Sequence, residues 1–212
     1  MKKDFKEFLS KKYCIKFVCK QSSLLMFVIS KILFFNKKFM TDYLTTVGST
    51  IYYPQGFDFV LSKSGDAMLF HEFLHVWDYR QNKALFIIKY LFPQILSLFA
   101  LFAFISPGFL LCLLFLLPLP SATRTKYELR GYLANIFYYH KIFGYEIEST
   151  NAYLEGIVEN FTGPNYYFMC RSMSVKRLKE EYKMLLKQSN LFNIYPYYAV
   201  YDYFKNFSDI VL

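Results

Sequence analysis

The sequence is poor in the residues that build disulfide or cysteine-metal frameworks. Its four cysteines, Cys14, Cys19, Cys112 and Cys170, have no CxxC spacing, so we expect free thiols in a reducing compartment. A cleaved secretory signal is not expected either, because no small-residue cleavage site follows the apolar stretch from Leu24 to Phe35. No internal repeat and no long linker divides the 212 residues.

Apolar residues and positive charge are both abundant. Hydrophobic residues make up 55% of the chain, which excludes a disordered protein and allows one domain with a core. The net charge is +9, yet no nucleic-acid-binding motif accompanies the basic clusters, so no specific nucleic acid is expected. The charge better fits an anionic membrane surface, with a basic nucleic-acid-associated protein as the weaker alternative.

The chain has only three histidines, and two of them fall in His71-Glu72-Phe73-Leu74-His75. An HExxH arises by chance in about two of every thousand such sequences. The i, i+4 spacing points both imidazoles to one side of a helix, and Glu72 lies close enough to take a proton from a water at an open coordination position. His71 and His75 are therefore predicted zinc ligands and Glu72 the predicted catalytic base.

A catalytic zinc needs a third protein ligand, and Glu128 and His140 compete for that role. Glu128 is favoured because Gly131, three residues later, lets its helix approach the HExxH helix closely. His140 lies three helical turns further on and needs a different helix placement. Tyr132, one turn after Glu128, is a predicted hydrogen-bond donor to the developing oxyanion.

Asp78 lies three residues after His75 and is a candidate to accept a hydrogen bond from an imidazole. A helix over residues 66 to 81 would carry both, with Asp66 as its N-cap. Upstream, residues 44 to 54 predict a strand or a tight hairpin about Gly48. The HExxH motif resembles the signature of the zincins, and this resemblance implies that the strand pairs with an extended substrate.

Residues 84 to 120 form an apolar segment with a single charge, Lys89. A break at Pro107 and Gly108 leaves a first arm of 23 residues and a second arm of nine. The second arm reaches roughly 14 Å and cannot cross a bilayer core of about 30 Å.

Zinc binding by both His75 and Glu128 requires the apolar segment to leave and return. We therefore expect a re-entrant or shallow monotopic hairpin in a membrane, or a helical protrusion buried by a partner. Basic residues flank both ends, which favours a zinc site on the cytoplasmic side.

The organisation expected from these patterns is a basic amphipathic helical region over residues 1 to 40 and a single domain over residues 41 to 212. The basic region is predicted helical from residue 3 to residue 38, packed on the domain or lying on anionic lipid. Downstream, a helix is predicted from Thr123 to Phe143, ended by Gly144.

The sequence resembles the gluzincins, whose third ligand is a glutamate on a second helix, and especially membrane-bound ones with apolar helices before that glutamate. It is also similar to a group of short, mostly uncharacterised HExxH proteins of bacteria and phages. The shared elements are a Thr-x-Gly-x-Thr-Ile strand, an HExxHVxQY-like helix, an apolar stretch and a Glu-x-x-Ala-Tyr segment, here Thr46–Ile51, His71–Tyr79, residues 84–120 and Glu128–Tyr132. Asp78 replaces the group's usual Gln and Gly131 its usual Ala.

The resemblance implies a mainly α, zincin-like α+β fold and a zinc metalloendopeptidase that hydrolyses proteins or peptides with Zn²⁺. The apolar segment of residues 84 to 120 predicts a further partner, either a membrane or the apolar surface of another protein. The alternative is a non-catalytic membrane-penetrating or assembly protein, such as a component of a phage particle, that keeps the zinc for stability.

Overall fold

The fold is mainly helical with one small sheet, as predicted. The structure is a computed structural model that describes residues 5–34, 36–57, 63–117, 119–146, 151–163, 170–188 and 196–207. Its α-helices are α1 (Phe5–Tyr13), α2 (Leu24–Ile32), α3 (Lys63–Gln81), α4 (Lys83–Leu91), α5 (Ala122–Phe143), α6 (Asn151–Thr162), α7 (Val175–Leu186) and α8 (Tyr197–Phe207). Its strands are β1 (Lys16–Cys19), β2 (Thr45–Val47) and β3 (Thr50–Tyr53).

The sheet has the order β1-β3-β2. β2 and β3 pair antiparallel, and the turn between them uses Gly48 with a φ of +63°, so the predicted hairpin about Gly48 is confirmed. Only glycine adopts this left-handed backbone without strain. The outer strand β2 also contacts α3, which brings an edge of the sheet next to the HExxH helix.

The predicted continuous helix from residue 3 to residue 38 is wrong at Lys16–Cys19. These residues form β1, which pairs in parallel with β3; residues 1–4 and Phe35 lie outside the described residues. Phe17 and Val18 fit a strand, and an available partner strand overrides helical periodicity. The first helix, α1, buries Phe5 and Phe8 in the common core, so it packs on the domain.

Helix α3 is the centre of the fold and carries a buried apolar stripe. Phe70, Phe73 and Leu74 are buried as predicted. The helix begins at Lys63, so Asp66 is not its N-cap but lies in the first turn. There Asp66 accepts a hydrogen bond of 3.1 Å from the hydroxyl of Tyr138 on α5. Asp66 thus ties α3 to the helix that carries Glu128.

The apolar segment doubles back as a pair of 3₁₀ helices, Gln94–Phe104 and Pro107–Leu116, which we call the apolar hairpin. They pack against each other, and none of their residues is buried. The first arm of 23 residues is divided, because Pro93 cannot continue α4. The chain bends there by 92°.

The hairpin extends further than an α-helical arm of equal length would. A 3₁₀ helix rises about 2.0 Å per residue, so the arm Gln94–Phe104 reaches about 22 Å. Among the described residues, no single helix is long and apolar enough to cross a membrane, and only the bent pair of α4 and Gln94–Phe104 meets the length and composition requirement.

The root of the hairpin is fixed to the beginning of α5. Gln94 donates through Nε2 to the carbonyl oxygen of Leu117 at 3.4 Å, and its Oε1 accepts from Arg124 Nη2 at 2.7 Å. Arg124 also donates through Nε to the carbonyl oxygen of Tyr90 at 2.9 Å. Helix α5 ends at Gly144 in a left-handed conformation, as predicted. The excursion therefore begins and ends beside one helix terminus.

Candidate metal centre

The structure brings the three predicted ligands together in the interior. His71 and His75 lie one turn apart on α3 and are 7% and 5% exposed, while Glu128 on α5 is 2% exposed. Nε2 of His71 lies 3.2 Å from Oε2 of Glu128, and Nε2 of His75 lies 3.6 Å from Oε1. One ligand atom of each residue lies within 4.8 Å of the other two. This group could hold a metal ion.

The close approach of α5 to α3 depends on Gly131. A Cβ atom there would lie 2.5 Å from both Cε1 and Nε2 of His71, well inside van der Waals contact. The sequence-based reason for favouring Glu128 was this small residue. The structure goes further, because an alanine at this position would require the His71 ring or helix α5 to move.

Charges within the cluster favour an ionised carboxylate at Glu128. Burial raises the pKa of Glu128, but His75 and His71 outweigh it and lower that pKa to about 2. For His71, burial lowers the pKa while Glu128 and Glu72 together raise it by more, so the net pKa is raised. The pKa of His75 is lowered, mainly by burial. The deprotonated carboxylate of Glu128 is the form that binds a cation.

Glu72, the residue after His71 on α3, is half-buried and is held by the sheet. Thr46 Oγ1 on β2 donates to Oε2 of Glu72 at 2.6 Å. A hydroxyl at this distance fixes the rotation of the carboxylate. The role of Thr46 could not be predicted with the strand itself, because its pairing with Glu72 depends on how β2 packs on α3.

Tyr132 lies beside the ligands with its hydroxyl turned to another group. Its ring meets that of His71 edge-on at 5.1 Å between centroids, and its hydroxyl accepts from Asn160 Nδ2 at 3.1 Å. The donor role predicted for Tyr132 towards an oxyanion stays a prediction.

Asp78 does not serve as the acceptor predicted for an imidazole. Its carboxylate pairs with Arg130 on α5 instead, and Nδ1 of His75, though buried, has no hydrogen-bond partner among the described residues. Asp78 therefore joins α3 to α5 rather than orienting a ligand. His140, the rejected candidate ligand, lies away from the cluster and forms a hydrogen bond of 2.8 Å with the hydroxyl of Tyr182.

Two residues near the cluster have no sequence signal that would have identified them. The hydroxyl of Tyr90, at the end of α4, donates to Oε1 of Glu128 at 2.5 Å. Lys20 is fully buried and donates to the carbonyl oxygen of Phe39 at 2.5 Å. Burial lowers the pKa of Lys20 to about 8, against an opposing effect of Glu72. Both contacts join residues far apart in the chain.

Comparison with known proteins does not assign a family to this arrangement. No family model, no curated protein and no solved structure matches the chain. The function must therefore be inferred from the residues of the cluster.

Proposed function

We propose that this chain is a zinc-dependent metallopeptidase of gluzincin type. The observation that carries the proposal is the buried group of two imidazoles and one carboxylate, with Glu72 next to His71 on the same helix. Ligands of a tetrahedral zinc at about 2.0–2.2 Å lie about 3.3–3.6 Å from one another. The separation of 3.2 Å between Nε2 of His71 and Oε2 of Glu128 is close to that spacing, and Nε2 of His75 lies 3.6 Å from the other oxygen, Oε1.

Each residue then has a definite task. His71, His75 and Glu128 would hold the ion, which when bound supplies Lewis acidity that activates water and polarises the scissile carbonyl. Glu72 accepts the proton of the attacking water and passes it to the leaving amine. Thr46 keeps the Glu72 carboxylate in one orientation through their hydrogen bond of 2.6 Å. The edge strand β2, which carries Thr46, is available to pair with an extended peptide.

The decisive experiment combines zinc analysis with a peptidase assay on Glu72→Gln. We expect the variant to retain stoichiometric zinc and to lose hydrolysis, because the amide cannot accept the proton. Glu128→Gln should bind zinc too weakly to retain it through purification, and His140→Ala should keep both zinc and activity, since His140 binds Tyr182 instead. Hydrolysis retained by Glu72→Gln, or a wild-type chain purified without zinc that does not take it up, would refute the proposal.

We also propose that the apolar hairpin inserts into an anionic lipid surface, with the zinc site on the cytoplasmic side. The tip and arms expose large apolar side chains, among them Leu101 at 73% and Phe104 at 83%. The exposed cations Lys89, near the end of α4, and Lys126, near the beginning of α5, flank the root, where they would meet lipid headgroups. Lipid fits this arrangement better than an apolar protein partner does, since cations precede and follow a hairpin that itself carries no charge.

Sedimentation with vesicles tests the hairpin directly. Wild-type protein should bind vesicles containing phosphatidylserine, and Leu101→Asp with Phe104→Asp should abolish binding while leaving zinc content unchanged. Binding that survives both substitutions would exclude hairpin insertion. The non-catalytic alternative, a membrane-penetrating or phage-particle protein, rests on the same hairpin and is distinguished by vesicle binding without any Glu72-dependent hydrolysis.

A further inference from the structure

We propose that Tyr90 positions Glu128 for metal binding, so that the helix leading into the apolar hairpin is part of the metal centre. This inference rests on the proposed zinc site and concerns how its third ligand is held. Tyr90 lies 38 residues before Glu128 in the chain, at the end of the helix that follows the HExxH helix.

The two oxygens of Glu128 have different neighbours. Oε2 lies 3.2 Å from Nε2 of His71, whereas Oε1 accepts the hydroxyl of Tyr90 at 2.5 Å and lies 3.6 Å from Nε2 of His75. The terminal torsion of a glutamate is broad and does not by itself fix the carboxylate plane. The bond to Tyr90 fixes that plane and leaves Oε2 free to act as the ligand oxygen.

Metal binding makes this hydrogen bond more important. Among the described residues, the hydrogen bonds to the Glu128 carboxylate come from His71 and Tyr90. Once the imidazoles bind a metal through Nε2, Tyr90 is the donor that remains for the second carboxylate oxygen. A buried carboxylate oxygen without a donor is costly, and groups that orient a ligand in this way typically change metal affinity 10–100-fold.

Tyr90 is itself held in place before any ligand binds. Its ring meets that of His75 edge-on at 5.6 Å and stacks on Phe86 at 5.4 Å. Arg124 lies over the ring at 5.4 Å and donates to the carbonyl oxygen of Tyr90 at 2.9 Å. The hydroxyl is therefore preorganised by the same residue that fixes the hairpin root.

The test compares Tyr90→Phe with Tyr127→Phe. Tyr127 is a matched control because its ring packs against Phe86 at 5.1 Å in the same aromatic cluster, while its hydroxyl has no hydrogen bond to Glu128. Zinc affinity is measured by competition with a chromophoric chelator. We expect Tyr90→Phe to bind zinc about 10–100-fold more weakly than wild type and Tyr127→Phe to bind within about twofold of it.

A general loss of stability in Tyr90→Phe would also lower its zinc affinity. Two further measurements therefore isolate the contact between Tyr90 and Glu128. The visible spectrum of bound Co²⁺ should change in Tyr90→Phe and not in Tyr127→Phe. In a Glu128→Gln background, Tyr90→Phe should have no further effect on zinc affinity, because it acts through that carboxylate.

Equal zinc affinities for Tyr90→Phe and Tyr127→Phe would overturn the inference and leave the proposed peptidase intact. An additive effect in the Glu128→Gln background would overturn it as well. A wild-type chain that does not bind zinc would instead refute the proposed function. Peptidase activity is not needed for any of these measurements.

Discussion

Replacing Gly131 by alanine is the sharpest test of the geometry between α3 and α5. The added methyl carbon would lie 2.5 Å from Cε1 and Nε2 of His71 and 2.7 Å from Cδ2. Carbon atoms in contact normally lie about 3.5–4.0 Å apart. The His71 ring or helix α5 must therefore move by about 1 Å. Zinc–ligand distances tolerate only about 0.2 Å, so the displaced ring cannot bind as before.

The substitution is expected to weaken zinc binding and also to change the stability of the metal-free fold. Loss of ligand alignment should weaken zinc binding at least about 10–100-fold, which corresponds to about 1.4–2.8 kcal/mol. In the metal-free chain, overpacking costs about 1–3 kcal/mol. The better helix propensity of alanine offsets about 1 kcal/mol of that. Metal-free protein should thus lose between 0 and about 2 kcal/mol.

The assay is chelator competition for zinc combined with denaturant unfolding of the metal-free protein. Gly156→Ala is the matched control, because this glycine also lies inside a helix and an added Cβ meets nothing within 4 Å. It should raise stability by about 0.5–1 kcal/mol and leave zinc affinity unchanged. If Gly131→Ala binds zinc as tightly as Gly156→Ala does, the close contact with His71 does not exist as described and the reasoning is refuted.

Three further substitutions test separate contacts. Thr46→Val should lower kcat for peptide hydrolysis about 10–100-fold at unchanged zinc content, since Glu72 loses its 2.6 Å donor; an unchanged kcat contradicts this. Asp78→Asn should leave zinc affinity unchanged, because Asp78 pairs with Arg130. For Lys20, the lowered pKa of about 8 against 10.5 means the unfolded chain binds the proton more tightly. As the pH rises from about 8 to 10.5, the unfolding free energy of the wild-type protein should therefore increase relative to that of Lys20→Met, as measured by denaturation at each pH.

The ligands on α3 could be predicted because their relation is local. Helical periodicity alone sets His71 and His75 on one side, and the apolar residues between them decide which side is buried. Glu128 could be predicted only from a second feature, the small residue Gly131 one turn later. In the structure, a Cβ atom at Gly131 would lie 2.5 Å from the His71 ring. Sequence patterns were informative wherever one helix, or one close contact between two helices, decided the outcome.

The contacts that sequence reasoning missed all join distant segments. Thr46 reaches Glu72 across 26 residues and Tyr90 reaches Glu128 across 38. β1 illustrates the same limit, because Lys16–Cys19 is extended only through its pairing with β3. Local propensity carries no information about such partners, and each of these residue types is ordinary in its own stretch of sequence.

The apolar hairpin shows how a constraint from chemistry can succeed where local geometry misleads. Placing His75 and Glu128 on one metal required the intervening chain to return, and the two 3₁₀ helices do return side by side. The length of the arms differs from the α-helical expectation, because a 3₁₀ helix rises about 2.0 Å per residue and an α-helix about 1.5 Å. The apolar segment of residues 84 to 120 also contributes contacts to the candidate site. It contains Tyr90, which binds Glu128, and Gln94, which binds Arg124. A linker of equal length but different sequence would close the chain and still leave Oε1 of Glu128 without its donor.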